Sequence, residues 1–531
     1  MKATQIPFKT TGFFSKTMLD YIEKKESIQP FYNNFPDITG FGKQIQEKQQ
    51  SFPLSSRLVL VAALKRQYQN FKISKKTDKN IQILKEKNTF TITTGHQLNL
   101  FTGPLYFLYK ILSTINLCEE LSTKFPEKNF VPTYWMATED HDFEEINYFN
   151  FEGKKVLWDR KKGGAVGRFS TKGLAAVLDV FSKHLGNSKN ALFIQKLFSD
   201  AYLKHDNLAN ATRFIVNELF GEYGLVIIDG DDANLKQLFQ PIIKDELENQ
   251  TSFKAVSKTI TDLEKNYKIQ ANPRAINLFY LGKNFRERIL FEDGIYKVNT
   301  TKITFSKAEI LKKLDENPAV FSPNVIMRPL YQEVVLPNIC YVGGGGEIAY
   351  WLALKEYFEE VAIPYPVLLL RNSVQVVSEK QGNKLKRLKI SFEELFLNQH
   401  DLLSKKIIEN ADIKVNFDEK IQFLEKQFSE LEAVAKQTDI SFLKAVNAQK
   451  RKQIKGLENL KKRFLKAEKK RQKELVERII QLQNEILPNQ SLEERQRNFS
   501  ESYLKYGTSY IKAIKGALKP LKLEFTVLEL E

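Results

Sequence analysis

The sequence predicts an α/β fold, with a core of parallel sheet and connecting insertions, plus a C-terminal α-helical antiparallel coiled coil. Three observations predict it. Residues 89–147 read as strand, polar turn, helix, strand, polar turn, the order of a βαβ unit. Later apolar runs at 225–228 and 367–370 end in charged residues, as strands buried on both faces of a parallel sheet do. From about Val377 the apolar residues recur alternately three and four apart, which is the seam of packed helices.

Length and composition bound the rest. A chain of 531 residues is too long for one ordinary core, so two or more units are expected. The net charge of +17 is compatible with nucleic acid, but much of the lysine lies in the long helical region, where a charge run is a solvated face. A basic cleft serves anionic small substrates equally well, so nucleic acid is not the expected partner. Cys118 and Cys340 are far apart in apolar settings and are read as reduced core residues, excluding a disulfide framework and a four-cysteine zinc site. The absence of a membrane-length apolar run and of a signal-peptide core gives a cytoplasmic expectation.

Taken in order, residues 1–88 read as a helical layer, with an amphipathic helix at 56–71 and surface at 44–50. The run Thr89-Phe90-Thr91-Ile92-Thr93 is a strand. Gly95 is read as allowing a sharp exit from it, and Thr102 with Pro104 as helix-start punctuation. A helix over 105–121 and a strand over 130–136 follow, and the strand breaks into Glu139-Asp140-His141-Asp142. Both polar turns then leave carboxyl ends of neighbouring parallel strands, where open α/β sheets bind ligands. Hairpin signals at 149–168 and helix to 220 make one insertion, about 149–220, on which His184 and His205 are read as structural. Asp229, Asp231 and Asp232 close another strand, and Asp231 or Asp232 is a candidate helix cap. Residues 241–320, with Arg274, Arg286 and Arg288 among aromatics, make a second insertion.

Four glycines, Gly343 to Gly346, open a helix and allow a close backbone approach to an anion. Positive φ or ligand proximity is expected at Gly344 and Gly346. Neither the dinucleotide fingerprint nor the P-loop spacing is present. A last buried strand ends at Arg371. The core unit is therefore read as 1–376, the coiled-coil unit as 377–515, and 516–531 as a strand returning to the core. Phe417, Ile421, Leu424, Phe428, Leu431 and Ala435 form one seam, and Leu475, Ile479, Leu482 and Ile486 another, with a joint near 438–441. The unused part of such a surface is expected to pair two subunits.

The motifs Thr94-Gly95-His96-Gln97, Thr102-Gly103-Pro104-Leu105-Tyr106, Glu139-Asp140-His141-Asp142-Phe143, Arg328-Pro329 and Gly346-Glu347-Ile348-Ala349-Tyr350, in this order, resemble the BshC family, the cysteine-adding enzymes of bacillithiol synthesis. Gly345 departs from the proline usual in that family's Gly-Gly-Pro-Gly-Glu motif. The resemblance implies a Rossmann-like core similar to class I aminoacyl-tRNA synthetases, a homodimer through the coiled coil, and a ligase joining cysteine to the amine of glucosaminyl-malate. Thr93-Thr94-Gly95-His96 keeps only the Gly-His half of the synthetase signature. Amide formation needs an activated carboxylate and a deprotonated amine. ATP or another nucleotide is the expected cofactor, with Mg2+ compatible, no zinc expected and no metal ligand assigned.

Catalytic roles are expected of His96, as an imidazolium or hydrogen-bond donor to phosphate, and of Asp140, His141 and Asp142, which position the amine, take its proton or bind a metal through hard oxygen ligands. Substrate or nucleotide contacts are expected from Thr94, Gly95, Gln97, Asn99, Glu139, Arg328, Gly343, Gly344, Gly346, Glu347, Tyr350 and Arg371. A nucleotidyl- or glycosyl-transferase using the same crevice is the alternative enzyme, and an RNA-binding or scaffold protein the non-enzymatic one.

Overall fold

The computed structural model describes residues 2–160, 163–413 and 415–531. The chain forms two compact units, one of Phe13–Val376 and Leu492–Leu528 with the N-terminal residues up to Lys9, the other chiefly Val377–Ser491. The second unit therefore stops short of the expected 515. Residues 492–515 are helical but pack within the first unit, which supplies the apolar surface that they bury.

Five strands build the core sheet: β1 (Thr89–His96), β2 (Asn129–Met136), β3 (Val226–Asp229), β4 (Asn338–Gly343) and β5 (Val367–Leu370). Their spatial order is β5-β4-β1-β2-β3, and every neighbouring pair is parallel. Helix α1 (Tyr106–Lys124) connects β1 to β2, α2 (Arg328–Val335) precedes β4, and α3 (Gly345–Trp351) follows it. The chain thus builds outward from β1 on one side, then returns to build outward on the other. The order reverses beside β1, between β1 and β4. A crevice outside the carboxyl ends of strands at such a reversal is where open sheets of this kind take ligands.

β1 is rich in threonine yet buried, and its hydroxyls explain how. Thr91 and Thr93 donate to the Asn338 side-chain oxygen at 3.2 and 2.8 Å, and Thr94 donates to the Val342 carbonyl at 2.8 Å. Thr89 Oγ1 accepts from the Asn129 side-chain amide at 3.3 Å, so each buried hydroxyl of the strand has a hydrogen-bond partner, which offsets the penalty of desolvating it. Phe90, Ile92, Leu117, Leu121, Ile339, Val342 and Leu369 form the apolar core with Cys118 and Cys340, both free and buried as expected.

The stretch 44–50, read as surface, lies in the helix Ile38–Ser51 with Gln44 and Lys48 buried. Lys48 reaches Glu333 at 3.1 Å in the interior, a pairing too distant in sequence for local polarity to reveal. The strand β1 continues through Gly95 to His96, so Gly95 is no exit. The turn comes later, at Phe101, Thr102 and Gly103, all with positive φ. Thr102 therefore caps nothing, and α1 starts at Tyr106.

Among the described residues, the segment between β2 and β3 holds the hairpin Tyr148–Phe151 with Lys154–Leu157, the short helix Phe143–Ile146 and the three longer helices Leu174–Leu185, Lys189–Lys204 and Leu208–Phe220. The segment between β3 and β4 holds, before α2, the helices Ala233–Asn249, Thr251–Leu263 and Lys307–Glu316 and a five-stranded antiparallel sheet that includes Arg286–Glu292. The C-terminal strand Phe525–Leu530, which belongs to the first unit as far as Leu528, joins Lys2–Ile6 and Val374–Ser378 in a separate sheet rather than the core sheet.

In the second unit α4 (Phe417–Ala435) and α5 (Ile440–Arg471) pair antiparallel. Lys461 meets Asp418 at 2.7 Å and Lys450 meets Glu432 at 3.0 Å, a register that only opposed helices give. Phe428, Ala435 and Val446 are the buried seam, with Leu424 and Leu443 against them. Leu431 is 47% exposed and falls outside it. The second apolar set sits on a separate helix, α6 (Lys473–Ile486), after a break at Gln472. Gln483 on α6 donates to the carbonyls of Leu395 and Leu397 at 3.0 and 2.8 Å, so this face packs inside the unit. Among the described residues no helix is long and apolar enough to cross a membrane.

Candidate functional site

His96 is the last residue of β1, at the point where the strand order reverses. Its carbonyl accepts from the Ala137 backbone N–H at 3.0 Å, which ties it to β2. Its ring packs against Tyr106 and Phe107, with centroids 5.5 and 5.0 Å away. Burial, reinforced by Lys110 and Arg371 nearby, pushes its pKa well below the usual imidazole value. The ring is thus neutral at pH 7, and the expected imidazolium does not form. Its Nε2 is buried without a protein partner. One nitrogen is left for a ligand.

Two cations, Lys110 and Arg371, act on that ring electrostatically. Lys110, from the buried face of α1, donates to the Gly95 carbonyl at 2.7 Å and pairs with Glu347 at 2.5 Å. Burial drives the Lys110 pKa down, and Glu347 pulls it partly back. Burial alone would raise the Glu347 pKa. Lys110 and the donors from Gly344 N–H at 2.8 Å and Tyr341 Oη at 2.7 Å reverse this, holding the carboxyl below the ordinary range.

Arg371, at the end of β5, forms a two-pronged pair with buried Glu494 at 2.9 and 2.7 Å. Its Nη1 also donates to the Asn372 carbonyl and Ser373 Oγ, both at 3.0 Å. Only the buried Nε–H lacks a partner. Arg328 donates to Gln332 at 3.1 Å and to Tyr350 at 3.4 Å. Lys110, Arg328 and Arg371 face two carboxylates, Glu347 and Glu494, so a positive excess is left for an anion.

Within the glycine run, space rather than backbone sign is what Gly343 provides to this cluster. None of Gly343 to Gly346 has positive φ, and Gly344 lies at φ −75° as the residue before α3. A Cβ on Gly343 would meet the Tyr341 ring at 2.9 Å, and one on Gly344 would sit 3.7 Å from Arg371 Nε. Gly345 opens α3, the position that favours proline, which accounts for the proline usual in the resembling motif. A Cβ on Gly346 would meet nothing within 4 Å, so no clash is built in. Gly346→Ala should keep or raise Tm by the helix preference of alanine, about 0.5–1 kcal/mol. Thermal melting read beside a ligand titration checks it, and weaker binding at unchanged Tm would put ligand in that space.

Across β1 lies an acidic group. Gln97 Nε2 donates to Asp140 at 2.8 Å and to Glu145 at 2.7 Å, while Asp140 Oδ1 accepts the His141 backbone N–H at 2.7 Å. Asn99 donates to the Glu145 carbonyl at 3.1 Å and so braces this turn. Asp142 is exposed at the start of a short helix. His141 Nδ1 faces Arg286 Nη1 at 2.9 Å, and burial together with Arg286 lowers the His141 pKa. Arginine can only donate, so His141 Nδ1 accepts and is occupied. The expected proton-accepting role for His141 is not available in this geometry.

Glu139 is buried against Lys236, and burial raises its pKa while Lys236 opposes the rise. Asp229, pushed up by burial and by Asp231, accepts from Thr138. Asp231 pairs with Arg168 at 2.6 Å, while Asp232 caps the helix Ala233–Asn249, as one reading of these aspartates expected. Among the described residues no three His, Cys, Asp or Glu side chains are grouped to hold a metal ion.

The structure thus gathers His96, Gly95, Arg328, Gly343, Gly344, Glu347, Tyr350 and Arg371 in one group at the carboxyl ends of β1, β4 and β5, and Gln97, Glu139, Asp140 and His141 in another at the ends of β1 and β2. The Thr94 hydroxyl donates to the Val342 carbonyl within the sheet. Sequence reasoning missed Lys110, Glu494 and Arg286 as site residues. A lysine flanked by the buried Phe107, Leu108, Tyr109, Ile111 and Leu112 was a legible signal. Glu494 carried none, since its partner is 123 positions away.

Glu493, beside Glu494, is pushed up to about 7 by burial, although Arg497 at 3.2 Å and the Val376 N–H at 2.6 Å oppose the rise. The folded state holds this proton more tightly than the unfolded chain. Its contribution is therefore fully present below pH 4.5 and is lost as pH rises toward 7. Denaturation between pH 5 and 8 should show Glu493→Gln with a flatter decline than the parent chain.

Two family models match this chain: the N-terminal Rossmann-like domain of bacillithiol biosynthesis BshC over residues 1–372, and its C-terminal coiled-coil domain over 374–530. A protein named "Putative cysteine ligase BshC" from Flavobacterium johnsoniae is 55% identical over 523 residues, covering 98% of this chain and 99% of its own. Relatives of the same name from Flavobacterium psychrophilum and Christiangramia forsetii are 56% and 50% identical, each covering 99% of both chains. The motifs at the strand ends, the parallel sheet and the coiled coil agree with these matches: the chain belongs to the bacillithiol biosynthesis BshC family.

Proposed function

We propose that this protein is a cysteine ligase that joins the carboxylate of cysteine to the amine of glucosaminyl-malate, with a nucleotide activating the carboxylate. Membership of the family and the names of its relatives support the reaction class. The observation that carries the location is the pair of unpartnered buried donors and acceptors, His96 Nε2 and Arg371 Nε, beside the strand-order reversal and within a cation-rich group.

In this reading the cationic side receives anionic oxygens, those of a phosphate or of the activated carboxylate. The residues present fit such a group, since Lys110, Arg328 and Arg371 outnumber the carboxylates they face. A bound nucleotide supplies the phosphoryl or nucleotidyl group that makes the carboxyl carbon reactive. Mg2+ held mainly by phosphates needs only one or two protein carboxylates, so the lack of a three-ligand group does not bear on it. Neutral His96 offers Nε2 to the charge that develops on oxygen. Asp140, with Gln97 and backbone N–H groups fixing its carboxylate, retains lone pairs to accept the proton of the attacking amine. Asp142 lies at the exposed rim of the same turn.

The test is a reaction of purified protein with cysteine, glucosaminyl-malate and ATP, analysed by mass for the amide and for AMP or ADP. Formation of product that depends on nucleotide supports the reading. No product, with turnover of a nucleotide sugar instead, would support a transferase.

We assign the protein to the cytoplasm and to a homodimer through the coiled coil. The seam residues Leu424 and Phe428 are used within the chain. The surface left over carries Phe423, Val434 and Phe442, exposed by 64, 56 and 44%. Phe423→Glu with Val434→Lys should therefore yield monomers with the hairpin intact, whereas Phe428→Lys should unpack the hairpin. Light scattering with circular dichroism separates the two.

A further inference from the structure

We infer that Arg286, from the antiparallel sheet inserted between β3 and β4, is a positioning residue that locks His141 as the Nε2–H tautomer and makes it a hydrogen-bond donor at the site. The inference rests on the proposed site only for its catalytic meaning. The tautomer itself is a property of the free protein.

Arg286 is fixed on four sides. Its Nε donates to Ser322 Oγ at 3.1 Å and its Nη2 to the Pro323 carbonyl at 3.0 Å, both on the strand Phe321–Pro323, which lies beyond the intervening strand Leu278–Leu281 in the same sheet. The Phe279 ring lies beneath the guanidinium at 3.9 Å, and the same ring stands 5.3 Å from His141. The remaining prong, Nη1, points at His141 Nδ1 from 2.9 Å. The guanidinium is always charged and has only donors, so His141 Nδ1 has to present its lone pair. The one proton of the neutral ring then sits on Nε2. Among the described residues no hydrogen bond engages that Nε2–H, and the side chain is 48% exposed.

The other charged groups around the ring do not undo this. Asp140 Oδ1 is 3.7 Å from Nδ1, beyond hydrogen-bond reach, and is already bound to the His141 backbone N–H. Asp142 and Glu287 favour a charged ring, while burial and Arg286 favour the neutral one. In the neutral tautomer His141 cannot take a proton through Nδ1 and offers only a donor through Nε2. A donor of this kind suits an oxygen of the malate or sugar portion of the acceptor, next to the proton-accepting Asp140. The insertion thereby becomes part of the site rather than a covering layer.

The chain has five histidines, so 15N-histidine labelling with a His141→Gln variant to assign the signal is practical. With no substrate present, the parent protein should show His141 Nδ1 as an unprotonated nitrogen and Nε2 as a protonated one at neutral pH. Arg286→Gln should mix the two tautomers and raise the titration midpoint of His141, since Asp140, Asp142 and Glu287 remain. Ser322→Ala, which loosens Arg286 without removing it, should move both readouts in the same direction by less. Arg286→Lys should restore part of the parent pattern. In the ligation reaction Arg286→Gln should lower kcat/KM by about tenfold, the worth of one hydrogen bond, with the loss mainly in KM.

A parent spectrum with the proton on Nδ1, or an Arg286→Gln spectrum unchanged from the parent, would overturn the inference. Because the spectra need no turnover, they stand or fall separately from the ligase reading. The expected tautomer in a protein that forms no amide would sink only the latter.

Discussion

Replacing His96 by alanine lowers the rate of ligation by about 10²–10³-fold, the size of effect seen when one aligned donor or acceptor is removed from a developing charge. The loss falls on kcat, because the ring meets the reacting oxygens rather than the distant parts of either substrate. Folding changes little: the ring is packed by Tyr106 and Phe107, but its removal also deletes a buried nitrogen with no protein partner. Steady-state kinetics beside a melting curve separates the two effects. The neutral state of His96 adds a second expectation. Its pKa is held down by burial, Lys110 and Arg371, so activity should not fall between pH 8 and 6 through protonation of this ring. Asp140→Asn should lose activity at least as strongly, by about 10²–10⁴-fold, through the missing proton acceptor.

Glu494→Ala should destabilise the folded protein by about 3–5 kcal/mol, because it leaves the buried Arg371 guanidinium without its counter-charge. Glu494 and Arg371 side chains are 1 and 5% exposed, so solvent screens little of that charge. The double variant Arg371→Met with Glu494→Leu should recover most of the stability, as apolar replacements of buried pairs do. Ligation should stay lost in the double variant, since the Nε–H and the local positive charge are gone. Urea denaturation together with the ligation reaction checks both parts. Full activity in the stable double variant would remove Arg371 from the site.

The fold was legible where physics is local. The threonine and apolar alternation of β1, the apolar run of β3 and the polar residues at their ends follow from strand geometry, and the helical seam follows from the heptad. Partnership across long stretches of chain was not legible. Lys48 with Glu333 and Arg371 with Glu494 join residues hundreds or more than a hundred positions apart, and each half alone looks like surface. The same holds for charge state. His96 at a strand end reads as an available imidazolium until the aromatic rings and cations around it are known. The tautomer of His141 depends on one guanidinium in an insertion that carries no motif. Backbone sign was also beyond reach for Gly343 to Gly346, none of which adopts positive φ, while Gly343 clears room for the Tyr341 ring.

The central claim is that chemistry takes place where the strand order reverses between β1 and β4. A crystal structure of the protein with cysteine and a non-hydrolysable ATP analogue tests it most directly. The expected result is an anionic oxygen of one of these ligands within hydrogen-bond distance of Arg371 Nε, with His96 Nε2 facing the same group. Both ligands bound elsewhere, with His96 and Arg371 untouched, would contradict it.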